Sequence, residues 1–173
     1  PWFEGSAGPY RAGKGASGWD GGYRVPFIVR WPGRIRAGRV SDAIAMNFDL
    51  MPTLIGLAGL APPEVRLDGR SLAAVWTTGA KSPHDELILF NNEQVAAVRT
   101  DGWKLVGRSY YRGLDIPLGR FGYWLLFDLK ADPAEQYNLA DREPQVLADM
   151  KARFARAEQA FAALATRKPN EFP

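Results

Sequence analysis

An α/β fold that ends in a small antiparallel sheet covered by a long C-terminal helix is predicted by three features of the sequence. A short apolar run at residues 25–31 is followed by a helix-like segment at 49–59. Strand-like runs rich in β-branched and aromatic residues follow Pro62-Pro63. A single apolar stripe then runs through residues 144–166. A strand leading into a helix is the unit of an α/β layer, whereas consecutive strands closed by one helix make a two-layer unit of their own.

Glycines crowd residues 1–24, where no apolar periodicity competes with them, and such a stretch reads as a site-forming loop. Val25, Phe27, Ile28 and Val29 then suit a strand buried on both faces, with Pro26 tolerated only at its start and Pro32-Gly33 stopping it. In residues 49–59, Asp49 takes the N-cap position, Pro52 the first turn, and Gly59 the place past the end. Pro62-Pro63 breaks the chain, and a boundary is placed there between residues 1–63 and 64–173. Strands are expected at 86–90, 95–100, 103–106 and 124–129, the middle two joined as a hairpin through Asp101-Gly102. Leu147, Met150, Phe154, Ala157, Phe161 and Leu164 recur at spacings of three and four. That stripe lasts only about three heptads, which favours covering a sheet over a coiled-coil seam.

Composition narrows the function. The chain has 173 residues, 46% apolar and 24% charged, the balance of an ordinary globular protein. No run approaches the roughly 18 consecutive apolar residues of a membrane span, so no membrane partner is expected. Without cysteine there are no disulfides, thiolate metal sites or cysteine nucleophiles, while either redox compartment stays open. The net charge of +3 is mild, and Arg30, Arg34, Arg36 and Arg39 form the one local basic excess, so no nucleic-acid partner is expected either.

Two phosphate-loop patterns in the glycine-rich segment fail on context. Residues 8–15 fit G-x-x-x-x-G-K but place Gly15 where a metal-binding hydroxyl belongs. Residues 13–18 fit G-x-G-x-x-G by letter, yet no strand is visible upstream and residues 19–22 are not expected to be helical. What remains is Lys14, an ammonium among glycines where backbone can approach an oxyanion closely; sulfate, phosphate or carboxylate would suit it. A solvated surface lysine is the alternative. Asp20 and Arg24 are read as bracing their loop rather than transferring protons. His84, the single histidine, lies in a turn before a strand and is read as a surface residue. Residues 108–122, with Tyr110, Tyr111, Arg112, Arg120 and Phe121, either line an anionic cleft or connect two strands packed by their own aromatics.

Taken together, five ordered segments resemble the sulfatase family. Gly13-Lys14 followed by Trp19-Asp20-Gly21-Gly22-Tyr23-Arg24-Val25-Pro26 is similar to the stretch in which G-K precedes W-E-G-G-x-R-V-P and an apolar strand, with Asp20 where the family more often has Glu. Phe48 to Leu54 resembles the helix that follows, and Leu67-Asp68-Gly69-Arg70-Ser71-Leu72 its D-G-x-S-L turn. Residues 97–105 and 126–140 resemble the C-terminal hairpin and its D-L-x-x-D-P-x-E-x-x-N-L signature.

The resemblance implies an alkaline-phosphatase-like domain, arylsulfatase-like in chemistry. Residues 1–63 would be its last loop, strand and helix, and residues 64–173 a C-terminal subdomain. It implies hydrolysis of aryl or sugar sulfates by a formylglycine nucleophile beside a Ca²⁺ ion, the nucleophile and most of the metal ligands lying upstream of Pro1. Of the family's site residues only Lys14 carries over, as the lysine that holds the substrate sulfate; no catalytic residue and no metal ligand is assigned here. The 173 residues by themselves are expected to be inactive, to bind no cofactor, and to self-associate or be flexible over residues 1–60. A periplasmic or secreted location is implied as well. The alternatives are a phosphonate or phosphodiester hydrolase of the same superfamily, for which Lys14 would serve equally, and a stand-alone binding domain.

Overall fold

The structure, a computed structural model, describes residues 7–15, 18–111, 114–162 and 164, with residue 111 described for its backbone only. They form two compact units, one of residues 26–85 and the other of the chain on either side of it. The boundary expected at residue 63 falls inside the first of these.

In the larger unit, strands β1 (Leu87–Asn91), β2 (Gln94–Arg99), β3 (Trp103–Val106) and, after an intervening hairpin, β6 (Leu125–Asp128) form an antiparallel sheet in the order β1-β2-β3-β6. The expected strands are thus present within a residue or two of their predicted ends. Asp101-Gly102 does make the turn between β2 and β3, closed by the Thr100 amide donating to the Trp103 carbonyl at 2.8 Å. Opposite β1, Leu89 faces Ala97 while Phe90 faces Val95, so Ala96 is an inserted bulge residue. The bulge puts Val95 and Val98 on one face of the sheet and Ala97 on the other.

Helix α4 (Pro144–Ala162) covers the first face, where Val95, Val98, Leu105 and Leu126 meet Met150, Phe154 and Ala157. Phe154 meets Trp124 edge-on with ring centroids 5.2 Å apart, and Phe161 meets Phe90 at 4.7 Å. Gly107 makes room for this packing, since a Cβ there would fall 2.7–2.8 Å from the Phe154 and Trp124 rings. Leu164 is exposed, so burial of the stripe ends before it; the remainder of the expected helix, at 163 and 165–166, lies outside the described residues.

Leu89, Ala97, Val106 and Phe127 line the opposite face and pack on Trp19. Being covered on both faces, β2 has no need of alternation, which is why Val95-Ala96-Ala97-Val98 reads as a continuous apolar run. Residues 108–122 connect β3 to β6 through the hairpin β4 (Ser109–Tyr111) and β5 (Leu114–Ile116) and a 3-10 turn (Leu118–Phe121). Arg108 pairs with Asp115 at 2.6 Å across that hairpin, while Phe121 stays exposed. Arg112 and the Tyr111 side chain lie outside the described residues.

The smaller unit contains a 3-10 turn (Asn47–Asp49), helix α2 (Leu50–Leu57) and helix α3 (Ala73–Thr77). Gly59, at φ +67°, ends α2 as expected: its amide donates to Gly56 and that of Leu60 to Ile55, the paired bonds of a Schellman motif. Asp49 precedes the helix but does not cap it. Its buried carboxylate instead accepts the Met46 amide at 2.7 Å and the Arg70 amide at 2.8 Å.

Residues 25–31 form no strand. The segment has no regular secondary structure and pairs with none of the strands described, and Ile28 is 89% exposed. The apolar run has strand character, but a strand exists only where a neighbour takes up its amides and carbonyls.

Candidate functional site

Lys14 occupies an exposed turn at residues 14–15 on a loop whose two stems are tightly held. The Gly21 amide donates to the Arg11 carbonyl at 2.9 Å and closes the loop. No side chain could replace the glycine, because a Cβ at 21 would lie 2.4 Å from the carbonyl oxygens of both Arg11 and Ala12. On the far stem, Gly18 at φ +90° sits where a Cβ would meet the Arg108 carbonyl at 2.8 Å. Its neighbour Trp19 is buried against Phe127, donates Nε1–H to Ser109 Oγ at 3.3 Å, and is covered by the Arg11 guanidinium 3.9 Å from its ring.

Residues 20–23 form a single helical turn, α1 (Asp20–Tyr23), where no helix was expected. Gly21 and Gly22 have poor helical propensity, but tertiary bonds fix the turn: the Asp20 amide donates to Glu135 Oε2 at 2.8 Å, and Tyr23 OH donates to the Phe90 carbonyl. A four-residue turn with no strand before it among the described residues supplies none of the context of a phosphate loop. Residues 18–24 are therefore docked on the sheet.

Beneath the loop lies a buried charge cluster. The Lys104 ammonium, fully buried in β3, sits 2.7 Å from Asp20 Oδ1 and 2.6 Å from Glu135 Oε1. Arg99, beside it on β2, lies 3.7 Å from Asp20 Oδ2, and Arg24 at 4.0 Å completes the shell. Two carboxylates thus face two cations, and each carboxylate lies within ion-pair distance of a cation, which offsets part of the cost of burying charge. Burial pushes the Glu135 carboxyl above its ordinary range, an effect opposed by the Lys104 ammonium and the Asp20 amide. The reading of Asp20 and Arg24 as braces agrees with this geometry.

Lys104, Glu135 and Arg99 escape a reading by sequence alone. The signal was present: Lys104 falls on a strand between Trp103 and Leu105, at an interior position where a charge demands a partner. That partner is delivered by the 128–139 signature. Asp128 Oδ1 accepts the Lys130 amide and Asp132 Oδ2 those of Gln136 and Tyr137, forming the turn that carries Glu135 inward at φ +56°. Asn138 then stitches the turn to β6 by accepting the Leu126 amide at 2.9 Å.

His84 is a correction. It is nearly buried, with Nε2 2.9 Å from each Asp49 carboxylate oxygen, so the ring presents Nε2–H to that carboxylate. Thr53 Oγ1 donates to the Asp49 carbonyl at 2.6 Å and accepts the Leu72 amide at 2.8 Å, which docks the 67–72 turn onto the start of α2. His84 therefore braces the smaller unit and is not a surface residue.

The residues present do not fit a Ca²⁺ site. Among those described, no three His, Asp or Glu side chains converge on a cation position. Asp20 and Glu135, the carboxylates that do come together, are turned onto Lys104, whereas Ca²⁺ takes six to eight oxygen ligands. No helix among the described residues is long and apolar enough to cross a membrane.

Residues 18–160 match the family described as N-sulphoglucosamine sulphohydrolase, C-terminal. Arylsulfatase A of Homo sapiens is 35% identical over 167 residues, an alignment covering 85% of this chain and 32% of that protein. Steryl-sulfatase of Homo sapiens is 35% identical over 158 residues, covering 76% and 26%. Among solved structures, the PsFucS1 sulfatase from Pseudoalteromonas sp. matches with a TM-score of 0.66 at 27% identity, covering 85% of this chain and 32% of that one. Ps i-CgsB matches with a TM-score of 0.69 at 25% identity, covering 95% and 34%. The chain spans about a quarter to a third of the length of these relatives. Over residues 18–160, from the W-D-G-G-Y-R segment through the turn that carries Glu135 and on into α4, the chain belongs to the sulfatases, in the family of N-sulphoglucosamine sulphohydrolase C-terminal domains.

Proposed function

We propose that these residues serve as the C-terminal part of a longer sulfatase that hydrolyses sulfate esters of aryl or sugar substrates, with Lys14 holding the sulfate group. The observation that carries this reading is the Lys14 loop, exposed at its tip and clamped at both stems within a chain of this family. A fixed ammonium there would neutralise oxyanion charge as the S–O bond breaks. The formylglycine nucleophile and the Ca²⁺ ion of the reading would be held by residues other than those of this chain. A sugar sulfate is supported by the similarity to Ps i-CgsB, one of whose structures holds a neocarrahexaose. A periplasmic or secreted location, and assignment of residues 1–63 to the catalytic domain and 64–173 to a subdomain, belong to the same reading.

The test is hydrolysis of a chromogenic aryl sulfate beside the matching phosphate ester, using the matured full-length protein with Ca²⁺ and its Lys14→Ala variant. Sulfate preference that is lost on substitution is expected. Cleavage of the phosphate alone would favour the phosphohydrolase alternative, and a Lys14→Ala enzyme with normal kinetics would return Lys14 to the solvent.

A further inference from the structure

Glu135 lies 121 positions from Lys14 in sequence, yet it holds both stems of the Lys14 loop. Its side chain accepts the Asp20 amide at 2.8 Å on the far stem, and its backbone carbonyl accepts Arg11 Nη1–H at 2.9 Å on the near one. The two stems are joined to each other by the Gly21 amide on the Arg11 carbonyl. The carboxylate is in turn fixed by Lys104, which binds Asp20 Oδ1 as well, so one ammonium ties the loop and the signature turn to β3. Every link in this chain is short, and the Lys104 and Glu135 side chains are inaccessible to solvent. With both side chains enclosed, what the cluster can act on is the loop that carries Lys14.

We propose that Glu135, with Lys104 behind it, is a positioning residue for the sulfate-holding Lys14, so that the C-terminal signature turn sets the geometry of the anion site. The inference rests on the reading of Lys14 given above. A lysine on a glycine-rich loop has several freely rotating bonds, and only its backbone stems can be held; loosening them by an ångström is enough to cost on the order of 100-fold in rate.

The experiment is a double-mutant cycle in the full-length enzyme with the aryl sulfate as substrate. Glu135→Ala is expected to lower kcat/KM by about 10–100-fold, and Arg11→Ala, which removes an exposed guanidinium and leaves the buried cluster intact, by a smaller factor. Glu135→Gln, whose amide oxygen can still accept the Asp20 amide, should recover part of the loss. In a Lys14→Ala background the same changes should cost less than about 3-fold, because the group they position is gone. Equal losses with and without Lys14 would overturn the proposal, showing that the cluster only stabilises the fold. So would full activity in folded Arg11→Ala and Glu135→Gln enzymes. The Lys14→Ala arm alone reports on the sulfate-holding reading: if it is fully active, that reading fails first and is seen to do so. Should Glu135→Ala not fold, the Arg11 and Gln variants carry the cycle.

Discussion

Replacing Lys104 by Met removes one ammonium and leaves two carboxylates in the interior of the larger unit. Met fills a similar volume, so the cost is electrostatic rather than steric. Asp20 keeps Arg99 at 3.7 Å and Arg24 at 4.0 Å, but Glu135 loses its only ion-pair partner among the described residues and retains the Asp20 amide. Breaking a buried pair in this way costs about 3–5 kcal/mol, which for a chain of this size lowers Tm by roughly 6–20 °C. The loss must depend on pH, and its sign follows from Glu135. Burial already raises that carboxyl in the folded protein, and loss of Lys104 raises it further. A carboxyl with a raised pKa takes up a proton on folding, so its contribution to stability is fully present below the ordinary carboxylate range. It is lost as pH rises through the folded value. The Lys104→Met penalty should therefore be small near about pH 4 and full near neutrality. Thermal unfolding of the 173-residue chain, followed by near-ultraviolet circular dichroism of its six tryptophans from acid to neutral pH, reads this directly. Adding Glu135→Gln should restore part of the stability at neutral pH. A pH-independent penalty, a loss below about 1 kcal/mol, or a double variant worse than the single would refute the account of the cluster.

Two further outcomes follow from burial alone. Phe154→Ala, which empties the contact with Trp124 and the space kept open by Gly107, should cost about 3–5 kcal/mol, and an unchanged thermal midpoint would remove α4 from the core. In the isolated 173-residue chain, Phe27, Ile28, Met51 and Leu54 of the smaller unit are exposed, so sedimentation should show concentration-dependent association that Ile28→Asp weakens; a monomer at all concentrations would rule out self-association.

The elements that could be read from sequence are those whose side chains alone determine them. Helix α4 begins at its expected residue, and the Asp101-Gly102 hairpin stands where it was expected, because periodicity and turn chemistry are local. The strand expected at 25–31 failed for the complementary reason: its pattern was right, but pairing partners are not local. The Trp19-Asp20-Gly21-Gly22 turn failed in the other direction, since two glycines argue against a helix that Glu135 and the Arg11 carbonyl impose. His84 was misjudged because the Asp49 carboxylate, 35 residues away, is brought to it only by folding. In the candidate site, Lys14 could be recognised through its motif, whereas Lys104 and Glu135 acquire meaning only when β3 and the signature turn meet.

The conformation of Glu135 shows which requirement prevails at that turn. At φ +56° it occupies a left-handed backbone that costs a side-chain-bearing residue about 1–2 kcal/mol and costs glycine nothing. Glycine would be the choice if the turn were the purpose. Neighbouring bonds over-determine the strained conformation: Asp132 Oδ2 holds the next two amides, and the Glu135 amide itself donates to the Asp132 carbonyl at 3.2 Å. A hydrogen-bond set of that strength is sufficient to hold the backbone without help from the side chain. The carboxylate is therefore free for another task, and its partners identify it. It receives an ammonium from the sheet and an amide from the Lys14 loop, two groups that no other side chain at this turn reaches. The strain is tolerated because a negative charge is required at that one point, between Lys104 and the base of the loop.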